Sequence, residues 1–598
     1  MKTQKYSVNQ YHIDNILSLV STGEIAIPEI QRPFVWDGSK VRDLLDSLYN
    51  GYPIGYLIAW KNPNVRLKDG RNSEGKKVLI DGQQRVTALT AAILGLPIIN
   101  KEYKRTRIII SFHPIEEKFE VFNTAIEKDH QWFPDISNVF KPETSLFKVV
   151  HEYCKRNDFQ NEDLIFSRLE LLKGIKSKQI GLIELDPDLD IETVTEVFIR
   201  INSQGVVLSQ ADFAMSKIAS AEEYNGPMIR KCIDYFCHMS IAPDFYNSIT
   251  EIDKEFTKTQ FFPKIAWLKN ENDDIYDPDY TDLLRVAFTS EFNRGRLSDL
   301  VSLLSGRNFE TRSFEDDIAK ESFLKLEKGI LNFINENNFK SFVMIIRTAG
   351  FISSSLIRSQ NALNVAYIIY LKLRSLKYNS AEIEKFVRRW FVMSILTGRY
   401  SGSPESIIDF DIKNISSKPF KEYLANVEAG ELSDAFWDFS LVQSLDTSVA
   451  SSPYFNVFLA AQVKSLDKGF LSTDITVFDM IMNKGDIHHI FPKDYLKKYG
   501  AKRSDYNQIA NYVMTQSEIN IKIGNKAPLD YMADIHKQCE GGKLKYGGIS
   551  DKFQLEENLK QNCIPIKISQ MDYATFEEFL VERRKLMAQK IKAYYQSL

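Results

Sequence analysis

At 598 residues the chain is too long for one hydrophobic core, and its length predicts two to four domains. Hydrophobic residues make up 44% and charged residues 26%, enough to bury sizeable cores and stay soluble, while five scattered cysteines exclude a disulfide framework and a four-cysteine zinc site. A net charge of −3 argues against a uniformly basic nucleic-acid binder but leaves room for a local patch, and the lack of a bilayer-length apolar run or a signal-peptide core predicts a cytoplasmic protein.

In chain order, "GEIAIPEIQRPFVW" reads as extended, since two prolines forbid a long helix. "DGSKVRDLLDSLYNG" reads as a helix, with Val41, Leu44, Leu45 and Leu48 on one face, Ser39 as a cap and Gly51 as a stop. "PIGYLIAWK" reads as a strand. "KKVLIDGQQRVTALTAAILGL" reads as a strand, a tight turn and a helix that stops at Gly95. "RTRIIISFH" and "QIGLIELD" are further strands, and "IETVTEVFIRINSQG" is a helix running into a turn. From about residue 225 to 450 long amphipathic patterns dominate, including "FKSFVMIIRTAGFISSSLI", "NALNVAYIIYLKLRSL" and "AEIEKFVRRWFVMSIL". The remainder mixes short extended pieces with helices. These shifts divide the chain into 1–225, 226–454 and 455–598.

Two constellations carry chemistry. In "DGQQR" a strand turns into a helix, which gathers free N–H groups and the positive end of a helix dipole where an anion such as phosphate can sit. Gly82 permits close approach and Arg85 can fork onto phosphate oxygens. Asp81 can hold a metal or accept from a ribose hydroxyl, and Gln83 and Gln84 both donate and accept. Arg32, after Gln31 in "PEIQR", is a second cation. The structural alternative is that Arg32 and Arg85 pair with Asp81 and Glu29 to hold the domain together. The second constellation is "GDIHHIFPK" at 485–493, which carries two of the chain's eight histidines, His488 and His489. A histidine can deprotonate water near neutral pH, and a divalent cation can stabilise charge on a phosphodiester. Seven basic residues lie between Lys493 and Lys526, opposed by Asp494, Asp505 and Glu518. Elsewhere, the arginines of "VRRWFVMSILTGRYSGSPES" could track a DNA backbone but read more readily as a solvated helix face, His536 and Cys539 lack the further ligands of a zinc site, and the terminal "FEEFLVERRKLMAQKIKAYYQSL" reads as a packing helix rather than a dimer face.

The ordered set "IPEIQRPFVW", "PIG", "VLIDGQQRVTAL" and "FIRINSQGVVLSQADF" resembles the ParB-like N-terminal domain of GmrSD-type restriction proteins. That resemblance implies nucleoside-triphosphate binding and hydrolysis, with Gln31, Arg32, Asp81, Gly82, Gln83, Gln84 and Arg85 at the nucleotide, and Asn202 and Gly205 in the third segment. "HHIFP", followed by Asn511 and Asn520, resembles the HNH nuclease signature of the ββα-metal finger. By that resemblance His489 is the general base, His488 and Asn520 are metal ligands, and Asn511 ties the loop carrying the base to the second strand. Asp486 is a spare ligand, and Lys493, Lys522 and Lys526 would grip DNA phosphates. Magnesium or manganese is the expected metal. The fold expected is α+β and multidomain: a ParB-like α/β domain, a helical coupling domain and a C-terminal HNH domain. The resemblance implies an NTP-dependent endonuclease restricting modified phage DNA, with double-stranded DNA and an NTP as partners, and one site per chain calls for a dimer or two successive nicks. The alternatives are a nucleotide-gated DNA clamp with a vestigial nuclease and a nonspecific defensive nicking nuclease.

Overall fold

The computed structural model describes residues 4–26, 34, 36–60, 77–99, 105–187, 189, 193–194, 197, 210–271, 275–483, 485 and 487–598. The chain folds into two compact units, Met1–Cys232 and Ile233–Leu598.

The first unit is built on a mixed five-stranded sheet. Its strands are β1 (Tyr6–His12), β2 (Ile25–Ala26), β3 (Tyr56–Trp60), β4 (Lys77–Asp81) and β5 (Gln179–Leu185), in the spatial order β1-β5-β3-β4-β2. The β1–β5 and β3–β4 pairs are antiparallel, whereas β5–β3 and β2–β4 are parallel. β3 is central, and it reads as a continuous apolar run because both of its faces are covered. Leu57 and Ala59 join the main core, and Ile58 and Trp60 pack with Leu185, Leu189 and Val194 on the other side. Helix α1 (Gly38–Tyr49) buries Val41, Leu44, Leu45 and Leu48 as their spacing predicts, but its cap is Asp37, which accepts from the Lys40 N–H at 2.9 Å, and not Ser39. Helix α2 (Gln83–Ile93) follows β4 directly and ends before Gly95, whose φ is +66°. The helix expected over 191–205, with Asn202 and Gly205, lies outside the described residues apart from 193–194 and 197, and so do Gln31 and Arg32.

The second unit is mostly helical. Helices α3 (Tyr280–Phe292), α4 (Asp316–Phe333), α5 (Glu336–Thr348), α6 (Gln360–Ser375) and α7 (Ser380–Thr397) pack around an aromatic cluster in which Phe342 stacks on Tyr367 at 4.5 Å and Tyr276 on Phe339 at 5.5 Å. The helical pattern over 339–357 continues as a helix only to Thr348. Gly350 then turns the chain with φ +101°, and a Cβ there would sit 2.2 Å from the Ala460 carbonyl oxygen. Arg389 and Arg399, expected on a solvated helix face, are largely buried in ion pairs instead. Arg389 makes two bonds to Glu428, at 2.8 and 2.9 Å, and Arg399 forks onto the buried Asp411, at 2.6 and 3.0 Å. Asp411 also accepts from the hydroxyls of Tyr400 and Tyr423.

Beyond these lie two short strands, β6 (Ile487–His489) and β7 (Tyr512–Met514), and helices α8 (Ser517–Ile523), α9 (Pro528–Cys539), α10 (Lys552–Gln561) and α11 (Phe576–Gln596). The long α11 packs against both parts of this unit. Its Tyr594 hydroxyl donates to the Ala349 carbonyl, and its Phe579 ring lies 4.8 Å from Phe491. Among the described residues no helix is long and apolar enough to cross a membrane.

Asp411 is the shared acceptor of one cation and two hydroxyls at 1% exposure. Asp411→Ala leaves that cation with only the more exposed Glu431, 3.0 Å from Arg399 Nη1, takes the acceptor from two buried hydroxyls, and lowers the stability of the second unit by about 3–5 kcal/mol. Urea unfolding of the full chain reads this as an earlier transition for that unit.

Candidate active site

The two histidines occupy the end of β6, which pairs antiparallel with β7 in the register Ile487↔Met514, His488↔Val513 and His489↔Tyr512. Both histidines are half-buried and stand at the last two positions of the strand, where the chain turns toward Pro492. His489 is half-buried, with its ring edge-on to Tyr512 at 5.2 Å and to Tyr506 at 6.1 Å. Its Nε2 lies 3.0 Å from Asn507 Oδ1. An amide oxygen can only accept, so this bond holds the proton on Nε2 and leaves Nδ1 as the basic nitrogen. Burial lowers the His489 pKa, with Lys493 and His488 acting in the same direction and the Asn507 bond opposing them. The imidazole is therefore biased toward the neutral form a base requires.

Asn511 is fully buried immediately before β7. Its Oδ1 accepts from the Phe491 N–H at 2.8 Å, and its Nδ2 donates to the carbonyls of Phe491 at 3.1 Å and Tyr506 at 3.0 Å. Its own carbonyl accepts from the Ile490 N–H at 2.9 Å. The two residues that follow His489 are thus pinned to the start of β7 by one asparagine. Tyr531 adds a further bond from α9, donating to the Ile490 carbonyl at 3.0 Å.

Helix α8 follows β7 after two residues and carries Asn520, which is half-buried. Lys493 and Lys522 are exposed, whereas Lys526 is engaged, with its ammonium 3.0 Å from Asp534 and 2.6 Å from the Tyr546 hydroxyl. Asp486 lies outside the described residues. Among the described residues no group of three or more His, Cys, Asp or Glu side chains could hold a metal ion. His488 and Asn520 are each half-buried; an imidazole and an amide oxygen would together make a neutral donor set that a divalent cation would have to complete with water and phosphate. Sequence reasoning missed Asn507 and Tyr531. The sole hint of Asn507 was an asparagine among the polar residues between the two strands.

In the first unit, "DGQQR" forms the junction of β4 and α2. Gly82 caps the helix with φ +91°, and a Cβ there would sit 2.3 Å from the buried Leu57 side chain. Gln83 is buried, and Gln84 is half-buried. The Arg85 guanidinium bonds Asp81 at 2.9 Å and the Ile54 carbonyl at 2.9 Å. Gly55 leaves room for it, since a Cβ there would lie 2.6 Å from Arg85 Nη1. Arg85 therefore clasps "PIG" to "DGQQR". A groove of about 630 Å³ runs past Ile54 and Gly55, lined also by Gln10, Tyr52, Tyr56 and Lys178.

The fold and site thus define an α+β chain with a glycine-capped strand–helix turn in one unit and a histidine-bearing strand pair followed by a helix in the other. Residues 13–219 match the family model described as GmrSD restriction endonuclease, N-terminal domain. The uncharacterized protein MJ0686 of Methanocaldococcus jannaschii is 23% identical over 578 residues, covering 87% of this chain and 86% of that protein. The match is to the N-terminal domain alone and likens residues 13–219 to that domain of GmrSD restriction endonucleases.

Asn511→Ala leaves the Phe491 amide and the Phe491 and Tyr506 carbonyls without their buried partner, at a cost of about 1–3 kcal/mol for each group left unpaired. The denaturation midpoint of the second unit falls accordingly. An unchanged midpoint would show that water replaces the side chain at no cost.

Proposed function

We propose that the chain is an NTP-dependent endonuclease that restricts modified phage DNA through an HNH-type site at His489. The observation that carries this reading is the local build of the site: an antiparallel strand pair and a following helix, with His488 and His489 on the first strand, Asn511 tying their loop to the second, and Asn520 on the helix. The match of residues 13–219 to a restriction-endonuclease domain supports a DNA substrate.

In this reading His489 Nδ1 takes a proton from the attacking water while Asn507 holds the ring through Nε2. His488 and Asn520 would hold a magnesium or manganese ion, which when bound supplies Lewis-acid stabilisation of the phosphate charge. Lys493 and Lys522, both exposed, contact neighbouring phosphates. Lys526 is a third candidate for a phosphate contact, one it would share with Asp534 and Tyr546. One such site cuts one strand, so a double-strand break requires two copies or two visits. The N-terminal unit binds the NTP at the "DGQQR" turn, whose first-turn N–H groups and adjoining groove suit a phosphate and its base.

The Asp81–Arg85 pair favours a second reading of that turn, as a structural clasp with no nucleotide role. A separate second account of the whole chain keeps the nucleotide and makes the protein a nucleotide-gated DNA clamp with a vestigial nuclease.

With modified phage DNA, NTP and Mg²⁺ or Mn²⁺, His489→Ala lowers the cleavage rate by about 10²–10⁴-fold and leaves DNA binding intact. Asn507→Ala lowers the rate less, because the base remains but loses its orientation. Binding without cutting by the wild type, unchanged in His489→Ala, favours the clamp. For the turn, Asp81→Ala and Arg85→Ala abolish NTP turnover if the nucleotide sits there. A chain that loses only thermal stability and keeps its turnover identifies a clasp.

A further inference from the structure

Arg583, on α11, is completely buried, and no carboxylate among the described residues pairs with it. Its Nη1 donates to the Ala510 carbonyl at 2.8 Å and to the Tyr512 carbonyl at 2.6 Å, and its Nη2 donates to the Asn562 carbonyl at 3.2 Å. Burial lowers its pKa to about 10, so the group remains a cation at neutral pH. A buried cation neutralised only by carbonyl dipoles is costly, and an apolar side chain could fill the same space without that cost. What the guanidinium adds is geometry. Ala510 and Tyr512 flank Asn511, so one nitrogen grips the backbone on both sides of the asparagine that pins Ile490 and Phe491. Those two residues directly follow His489. The Asn562 side chain extends the same frame by donating to the Lys468 carbonyl at 3.1 Å. The sequence contains no paired cysteines to knit a zinc knuckle around this region.

We infer that Arg583 is a positioning residue for the DNA-cleaving site: it fixes the backbone of Asn511 and, through that side chain, the loop that carries His489. The inference rests on the HNH reading. Arg583 touches neither DNA nor the reacting phosphate, and its effect falls on turnover, not on substrate binding. Lysine at 583 keeps the charge but replaces a planar fork with a single ammonium, which cannot span three carbonyls.

The test uses the full chain, modified phage DNA, NTP and Mn²⁺ or Mg²⁺. Arg583→Lys is expected to unfold cooperatively, to keep KM for DNA within about two-fold of wild type, and to lose at least about ten-fold in kcat. The Arg583→Lys/Asn511→Ala pair is expected to cut no more slowly than Asn511→Ala alone, because both changes break one chain of contacts. Several results overturn the inference: wild-type kcat in Arg583→Lys, a loss confined to KM, full additivity in the double variant, or a lysine variant that no longer folds and so assigns Arg583 to stability alone. Failure of the nuclease reading is distinguishable, since it appears as a wild type that does not cut or a His489→Ala variant that still does.

Discussion

The second unit's site depends on one buried asparagine. Asn511 converts two short strands, which would be marginal as an isolated hairpin, into a fixed platform, because its amide meets both the N–H and the C=O of Phe491 and also the Tyr506 carbonyl. Two-way amide bonding of this kind specifies register: a slip by one residue would leave a buried donor and two buried acceptors unpaired. Without that register the ring of His489 would lose its place opposite Tyr512 and its bond to Asn507.

Around this asparagine the protein builds a frame of side chains bonded to main chain. Arg583 grips the carbonyls on either side of it, Tyr531 holds Ile490, and Thr515 and Asn558 secure the loop at Gly469–Ser472 that bonds the end of β7. Each member satisfies a backbone group that would otherwise be buried unpaired, so the network is rigid as well as polar. Here polar residues from α9, α10 and α11 do the work that metal knuckles or disulfides do in other small motifs.

The first unit uses the same device in another setting. Arg85 joins Asp81 to the Ile54 carbonyl, and the glycines at 55 and 82 exist at those positions because a side chain would collide with Arg85 or with Leu57. Two short stretches far apart in the chain are in this way one physical object.

Local pattern alone determined much of this. The apolar spacing in α1, α6 and α7, the strand–turn–helix at "DGQQR", the packing role of the last helix and the strand–strand–helix order around His489 were legible because each is set by neighbours a few residues apart. The candidate residues His488, His489, Asn511 and Asn520 could be named only through the resemblance of "HHIFP" and the two asparagines to the HNH signature. Tertiary structure alone decided the rest: that Asp37 caps α1, that the helix at Phe339 stops where Gly350 meets Ala460, that β1 lies beside β5, that Asn507 orients His489, and that an arginine about seventy residues downstream holds Asn511. Those contacts join groups with no fixed separation in sequence. They exist because buried carbonyls, amides and charges must each find a partner in the folded interior, and no periodicity records which partner that will be.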